Sequence, residues 1–544
     1  LTRLALIAVN AKYSHTNLAL LYLRAALLTE TPNIDFELIE WDINRPEREL
    51  LETITAGGFS HAVFSVYIWN SRYIEDIVSD LNQFSRRPII CAGGPEVVHN
   101  RTVWLQIPGL DFILNGAAEH FIQILQKLKK PESARVLHAA AEPFSRTVFP
   151  YDEPLLENLR GRLIYYEASR GCMFGCSYCL SSCSDNPVEY RTANQIITEI
   201  TLLSTFTGTV KFVDRTFNAN PEVSRLIWQY MANNPIAGCF HFEIHPLLLE
   251  EEDLRLLKNL PQSSAQLEIG IQSSDSAVLK NVNRAGEWSK EKKIIKELVN
   301  TGLFHIHLDQ IVGLPGDTPE AASVSLDEIM QLLPDHFQLG FLKLLPGTPL
   351  FEQKEKWGIK NSMTPPNEIL ESSSFSFEQL QYFHLIEKLI SRLYNSGFFT
   401  LTLKHLVGES GSWYRLFKDL LKTDPDLSCR RWEYWGKILM DYADTNHPEG
   451  KNLFIDLLRF DWCPFSNAQY YPDFLKYGDR EKITILRRIG VERLRKEQPG
   501  IKKSNLNRAI LFVPENPELS KTEAAIFYKE DSSKKRIDLS DIQL

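Results

Sequence analysis

Two series of short apolar runs, alternating with segments of helical period, constrain this 544-residue chain more than any other feature. The first series is Leu4 to Val9, Phe36 to Trp41, Ala62 to Val66, Ile89 to Ala92 and Asp111 to Leu114, with Leu18 to Leu28 and Tyr73 to Phe84 as its clearest helices. Strands alternating with helices make a parallel sheet covered on both faces, whose ligand lies beyond the carboxyl ends of the strands. The second series runs through Leu163 to Ala168, Val210 to Val213, Cys239 to Ile244, Leu267 to Ile271, His305 to Val312 and Phe337 to Leu342. Helical patterns at Ala193 to Leu203, Pro221 to Met231, Glu250 to Leu257, Lys290 to Asn300 and Pro319 to Leu332 make these six βα units. Between the series, residues 129–161 carry Pro131, Pro143, Pro150 and Pro154 with no sustained period and read as a connector. The predicted organisation is an α/β chain with domains at 1–128 and 162–362 and a mainly helical region at 363–544.

The loop after the first strand of the second series is Ser169-Arg170-Gly171-Cys172-Met173-Phe174-Gly175-Cys176-Ser177-Tyr178-Cys179. Three clustered thiolates, Cys172, Cys176 and Cys179, can hold three irons of a [4Fe–4S] cube and leave the fourth open to another ligand. Zinc sites usually join two separated ligand pairs, and no second pair follows at such a distance; a compact zinc site completed by Cys183 is the alternative that the spacing leaves. Cys91, Cys239, Cys429 and Cys463 are scattered and read as small core residues.

The C-x3-C-x2-C spacing, with an aromatic residue before the third cysteine, resembles the signature of radical S-adenosylmethionine (SAM) enzymes. Four later segments, Val213 to Asn218, Leu267 to Ser273, Asp309 to Gly316 and Lys343 to Pro349, resemble the corresponding strand ends of cobalamin-dependent members of that family. The resemblance implies a partial (β/α)6 barrel, a [4Fe–4S] cluster on the three cysteines, and SAM bound at the open iron and cleaved to a 5′-deoxyadenosyl radical. It implies that Tyr178 supports the adenine through its backbone, and that Glu268, Gln272 and Ser273 lie near the ribose or methionyl part of SAM. Asp214, Arg215 and Asn218 are further candidates to face substrate or SAM, with roles that sequence does not separate.

The first series resembles the Rossmann-like, flavodoxin-like cobalamin-binding domain that precedes such barrels, in which Gly-Gly-Pro-Glu recurs after the fourth strand, here Gly93, Gly94, Pro95 and Glu96. Candidate cobalamin contacts at the other strand ends are Asn10, Tyr13, Ser65, Asn115 and Gly116. The Asp-x-His-x-x-Gly pattern that supplies a cobalt ligand in some cobalamin proteins is absent, and His15 reads as a capping or hydrogen-bonding group.

Beyond Met363 the aromatic residues Trp413, Trp432, Trp435, Trp462, Tyr470 and Tyr471 read as a packed helical core rather than a pocket. Arg480 to Lys503 is basic but interleaved with acids and reads as a solvated helix face; Asp531 to Leu544 is polar and expected to fray. A net charge of −9 makes nucleic acid an unexpected partner. No apolar run reaches the roughly 20 residues of a membrane span, and the amino terminus lacks a secretion pattern. With eight cysteines and no disulfide framework, the expected location is cytoplasmic. The resemblance implies methyl transfer to an unactivated carbon of a small-molecule or peptide substrate, fed by a reducing donor such as flavodoxin or ferredoxin. Cyclisation or rearrangement without net methylation, and a non-catalytic module that holds a corrinoid and a metal, are the alternatives. Methylthiotransferases carry a second cysteine trio, whereas the first domain here has only Cys91.

Overall fold

The computed structural model describes residues 2–140, 142–182, 187–466, 470–516, 524–530 and 533–539. The chain divides into two compact units, one of residues 1–325 and 332–380, the other of residues 326–331 and 381–544.

The first unit begins with β1 (Arg3–Asn10), β2 (Asp35–Asp42), β3 (His61–Ser65), β4 (Ile89–Gly93), β5 (Phe112–Asn115) and β6 (Arg135–His138). They form one parallel sheet in the order β2-β1-β3-β4-β5-β6. The order reverses between β1 and β3, which opens a crevice at their carboxyl ends. Alternate residues feed two cores: Ala5, Ile7 and Val9 pack with Ile74, Ile77 and Val78 on one face, and Leu4, Leu6 and Ala8 with Leu20, Leu23 and Leu27 on the other. The helix Leu18–Glu30 starts where Asn17 accepts a hydrogen bond from the Leu20 amide at 3.2 Å. The sixth strand, β6, lies within the segment expected to be a connector. Arg135 and His138 are exposed and Val136 and Leu137 only half-buried, as suits an edge strand, so two apolar residues are all the signal it carries.

The second sheet consists of β7 (Ile164–Tyr166), β8 (Thr209–Phe212), β9 (Cys239–Glu243), β10 (Ala265–Gln272), β11 (His305–Val312) and β12 (His336–Phe341). All are parallel and neighbours follow chain order, with β7 and β12 at the two edges, as in an open barrel. One face of each strand is apolar: Phe212 and Phe242 meet Phe217 outside the sheet, Trp228 meets Phe242, and Phe240 packs on Phe212 and Phe242. The inward positions carry Tyr165, Lys211, His241, Glu243, Glu268, His307 and Asp309, half-buried rather than sealed. The two sheets meet at an edge. Leu163, just before β7, bridges His15 and donates its amide to the Ser14 carbonyl at 2.7 Å. Beside it Arg162 makes a double hydrogen bond to Glu40, at 2.5 and 2.8 Å.

The second unit is helical through Trp462, and its indoles are core residues as expected: Trp432 packs on Trp462 and Phe399, and Trp413 on Tyr394. Tyr470 is exposed. Within this mainly helical region the sequence reading named no strands, and the structure adds a small antiparallel sheet of Ile510–Phe512, Ala525–Glu530 and Ser533–Asp538. The last strand lies in the segment expected to fray; its backbone pairing with an apolar partner strand outweighs its polar composition. Arg480–Glu497 is a helix, as read. No helix among the described residues is long and apolar enough to cross a membrane.

Candidate functional site

The cysteine loop leaves β7 through a short ladder, Ser169–Arg170 against Glu189–Tyr190, and a left-handed glycine, Gly171, at φ +105°. Its start is braced by Asp214, which accepts from Ser169 Oγ at 2.6 Å and from the Ala168 amide at 3.0 Å. Burial pushes the Asp214 carboxyl up to about 7. Its far side is held by the segment after β10. The Ser177 amide donates to the Val282 carbonyl at 2.9 Å, Asn283 Nδ2 to the Gly175 carbonyl at 2.8 Å, and an Arg284 nitrogen lies 3.8 Å from Cys176 Sγ.

Cys172, Cys176 and Cys179 consequently line one cavity of about 190 Å³ with Tyr178, Arg215, His245, Glu268 and Gln272. Three thiols converging on one space, with a guanidinium at one of them, suit a cluster whose thiolates need positive charge nearby. Burial raises the Cys176 thiol, and Arg284 works against that. Cys183, the fourth ligand of the zinc alternative, lies outside the described residues.

His245 and Gln272 each bring an unpartnered acceptor to this cavity. Burial, then Arg284, lower His245 to about 4, so the imidazole is neutral. Its Nε2 lies 3.2 Å from the Ala285 carbonyl, which fixes the proton there and leaves the buried Nδ1 as an unpartnered acceptor. Gln272 Oε1 is likewise buried and unpartnered. Gln272 sits at φ +69°, at an irregularity in the β10–β11 pairing, and Gly270 leaves the room that its amide needs. A backbone strained at one cavity-lining glutamine marks a functional position. These orphan acceptors fit a ligand that brings its own donors, as the amino groups of SAM would.

Glu268 lines the cavity, but its Oε2 already accepts from Lys211 at 2.7 Å and faces His241 Nε2 at 2.8 Å. Burial opposes ionisation, yet these partners hold the carboxyl well below the usual range. Ser273 does not reach the cavity: it is buried against Ser325 Oγ and accepts from the Asp275 amide, a turn-forming role. The three residues after β8 separate cleanly. Asp214 is the brace, Asn218 exchanges two 2.9 Å hydrogen bonds with the His245 backbone, and Arg215 alone lines the cavity. His245 escaped the sequence reading; its only signal was an isolated polar residue just past an apolar strand.

The crevice of the first sheet is a larger cavity of about 510 Å³. Of the candidate cobalamin contacts, Asn10, Ser65, Gly93, Gly94, Pro95 and Gly116 line it. Tyr13 does not; it is 77% exposed, beside Arg162. Nor does Glu96, which turns into its own helix toward Asn100 at 3.3 Å, or Asn115, which meets His138 Nδ1 on β6 at 3.1 Å. His15 lines the cavity with Nδ1 2.6 Å from Tyr165 OH, a hydrogen-bonding group as read. Tyr67 and Trp69 stack at 4.4 Å and 8° on one wall, a flat apolar surface next to the glycine turns. The barrel supplies Tyr165, Glu167, Arg170, Val213 and Arg215 to the same space, so Arg215 lines both cavities. Arg170, two residues before Cys172, also bonds Glu119 at 2.6 Å and Glu167 at 2.7 Å, which ties the cysteine loop to the first sheet.

Residues 166–329 match the radical SAM superfamily, and residues 355–512 match a family described as protein of unknown function (DUF4080). A tRNA-2-methylthio-N(6)-dimethylallyladenosine synthase of Acinetobacter baumannii (strain AYE) is 25% identical over 218 residues, which are 36% of this chain and 42% of that protein. An oxygen-independent coproporphyrinogen III oxidase of Pseudomonas aeruginosa is 33% identical over 104 residues, 19% of this chain and 22% of that protein. The chain spans less than half the length of these curated relatives. Among solved structures, the radical SAM methyltransferase TsrM from Kitasatospora setae, with tryptophan substrate and a SAM analog bound, superposes with a TM-score of 0.54 at 16% identity, covering 67% of this chain and 80% of that one. The cobalamin-dependent SAM radical enzyme OxsB with aqua-cobalamin bound superposes with a TM-score of 0.56 at 16% identity, covering 85% and 75%. At these identities the likeness is one of fold.

Proposed function

Because residues 166–329 form a radical SAM domain, we propose that the chain is a cobalamin-dependent radical SAM enzyme that transfers a methyl group to an unactivated carbon of a small-molecule or peptide substrate. The observation that carries this reading is the shared wall at Arg215: a large apolar crevice at the strand ends of the first sheet adjoins the cavity of the three cysteines. A ligand in either cavity would reach toward the other, as two cofactors serving one substrate require.

When bound, a [4Fe–4S] cluster would supply the electron that cleaves SAM to a 5′-deoxyadenosyl radical, and a corrinoid would carry the methyl group. Cys172, Cys176 and Cys179 would hold the cluster, with Arg284 offsetting charge at Cys176. His245 Nδ1 and Gln272 Oε1 would accept hydrogen bonds from SAM, and buried Tyr178 would wall its adenine. Asn10, Ser65, the Gly93–Pro95 turn and Gly116 would form the corrinoid floor, with Tyr67 and Trp69 as its apolar wall. Arg170 and Arg215 would keep the two ligands in register, since both touch the first cavity and the cysteine loop or its cavity. The electron donor of this reading is a low-potential protein of the flavodoxin or ferredoxin type.

The test is anaerobic reconstitution with iron, sulfide and hydroxocobalamin, reduction, and product analysis after SAM is added. Corrinoid retained through gel filtration, with both 5′-deoxyadenosine and S-adenosylhomocysteine formed, supports methyl transfer. 5′-Deoxyadenosine without S-adenosylhomocysteine points to rearrangement, and neither product sinks the catalytic reading. Alanine at Cys172, Cys176 or Cys179 should abolish both products and the iron–sulfur absorption, whereas Cys183→Ala should leave them largely intact.

A further inference from the structure

Below the cysteine loop, the inward face of the barrel carries a second group of potential ligands. Glu268 of β10 pairs in register with His307 of β11, and Asp309 follows His307 by two positions on the same face. One ligand atom from each of the three lies within 4.8 Å of the others.

Two features distinguish this group from an ordinary ion-pair cluster. First, His307 Nε2 and Asp309 Oδ1 stand 3.0 Å apart, both closed to solvent, and neither has a partner outside this pair. A carboxylate oxygen with one imidazole beside it still has lone pairs to give. Nitrogen and oxygen ligands about 2.0–2.2 Å from one metal, on adjacent coordination positions, stand about 3 Å apart. Second, Glu268 is arranged as ligating carboxylates are. Its Oε2 is held by Lys211 at 2.7 Å and by His241 at 2.8 Å, while no such bond is made to Oε1. Outer partners of this kind orient a ligand and tune its basicity. Lys211 does not serve this pair, because its ammonium is shared between Glu268 and Glu243.

We propose that Glu268, His307 and Asp309 form a divalent transition-metal site in the barrel lumen, separate from the three cysteines. One imidazole and two carboxylates suit zinc, iron(II), cobalt(II) or manganese(II) rather than a thiophilic ion. Three protein ligands leave coordination positions open, as catalytic sites do. Glu268 and Asp309 line the same cavity as Cys172, Cys176 and Cys179, so the open positions face the space where the reaction would occur. The site would thus anchor a substrate bearing a carboxylate or another oxygen or nitrogen donor.

The test uses the full-length chain with Cys172, Cys176 and Cys179 all replaced by alanine, so that no cluster iron interferes, stripped of metal and titrated with cobalt(II). The expected result is one equivalent bound, with weak visible d–d bands and no thiolate charge-transfer band. Asp309→Asn and His307→Gln in that background should weaken binding more than tenfold. His241→Ala, which removes only a partner of Glu268, should weaken it by roughly 10–100-fold. Failure of the starting chain to bind cobalt, equal binding by Asp309→Asn, or a thiolate band would each overturn the proposal. Asp309→Asn is nearly isosteric and decides the matter should His307→Gln fail to fold. Since the assay removes the cluster site, its outcome does not bear on the radical SAM reading.

Discussion

Replacement of Gly94 by alanine should destabilise the first sheet with no cofactor present. Gly94 sits at φ +111°, and a Cβ there would lie 2.4 Å from the Val66 carbonyl oxygen and 3.1 Å from the Val66 nitrogen. Backbone strain of this kind costs ~1–3 kcal/mol, and forcing a methyl into a filled position costs ~1–3 kcal/mol more. The neighbouring Gly93 is the control: it has no positive φ, and its Cβ would meet Leu114 only at ordinary contact, 3.4 Å. A compatible Gly→Ala change is expected to stay within ~1 kcal/mol of the parent. The hydrogen bond from the Val66 amide to the Gly93 carbonyl, 2.7 Å, crosses this very point, so hydrogen exchange at Val66 reads the effect locally. In Gly94→Ala its protection should fall by at least about tenfold, since ~1.4 kcal/mol is one decade, while Gly93→Ala should leave it near the parent value. Unchanged Val66 protection and melting in cofactor-free Gly94→Ala would refute the argument. The pair also sharpens the cofactor question. Lost corrinoid retention in Gly94→Ala alone reports a broken turn; the same loss in Gly93→Ala, with Val66 still protected, reports ligand contact.

Asp214 predicts a pH dependence. Its carboxyl titrates at about 7 in the fold against 3.8 in the unfolded chain, so folding takes up a proton between these values. Its contribution is complete below about pH 4 and is lost as pH rises to about 7, on the order of a few kcal/mol. Asp214→Asn should remove that component, which is seen by comparing urea midpoints of parent and variant at pH 5 and pH 8; an identical pH trend in both would contradict it. Gln272→Gly should leave the stability of the cofactor-free protein within ~1 kcal/mol of the parent, because the left-handed strain it relieves and the chain entropy it adds are of similar size. It should nonetheless weaken SAM binding, measured by calorimetry on reconstituted protein, through loss of Oε1; undiminished affinity would remove Gln272 from the site.

The strands that could be read in the sequence were those with a dense apolar face. β1 and β3 are almost wholly buried and announce themselves; β6, four residues with exposed ends and a half-buried middle, does not. The cysteine loop was legible because thiol spacing is itself chemistry. Strand-end side chains were harder, since position alone does not fix direction: Asn10 and Ser65 line the crevice, while Glu96 and Asn115, equally placed in sequence, bond within their own surroundings. Ser273 failed for the same reason, being consumed by its turn. Of the inward residues of the barrel strands, Glu268 was reached through its motif, whereas Lys211, His241 and Glu243 went unread as the polar beats of an alternation used to find strands. His307 was hidden in the same way within His305 to Val312, and Asp309 entered only as the first residue of a family segment.

The Ser14–Leu163 contact has a consequence for how the chain is made. An open barrel has a bare first edge, and an unpaired edge is a template for strands of other molecules. Here Leu163 donates to Ser14 and bridges His15, so that edge is occupied by a loop of the first sheet. Domains fold in the order they leave the ribosome, which means the cap exists before the edge it covers. A fragment beginning at Arg162 would expose the edge during its own folding. It is expected to self-associate, with light scattering rising with concentration, while a fragment that retains the first sheet does not.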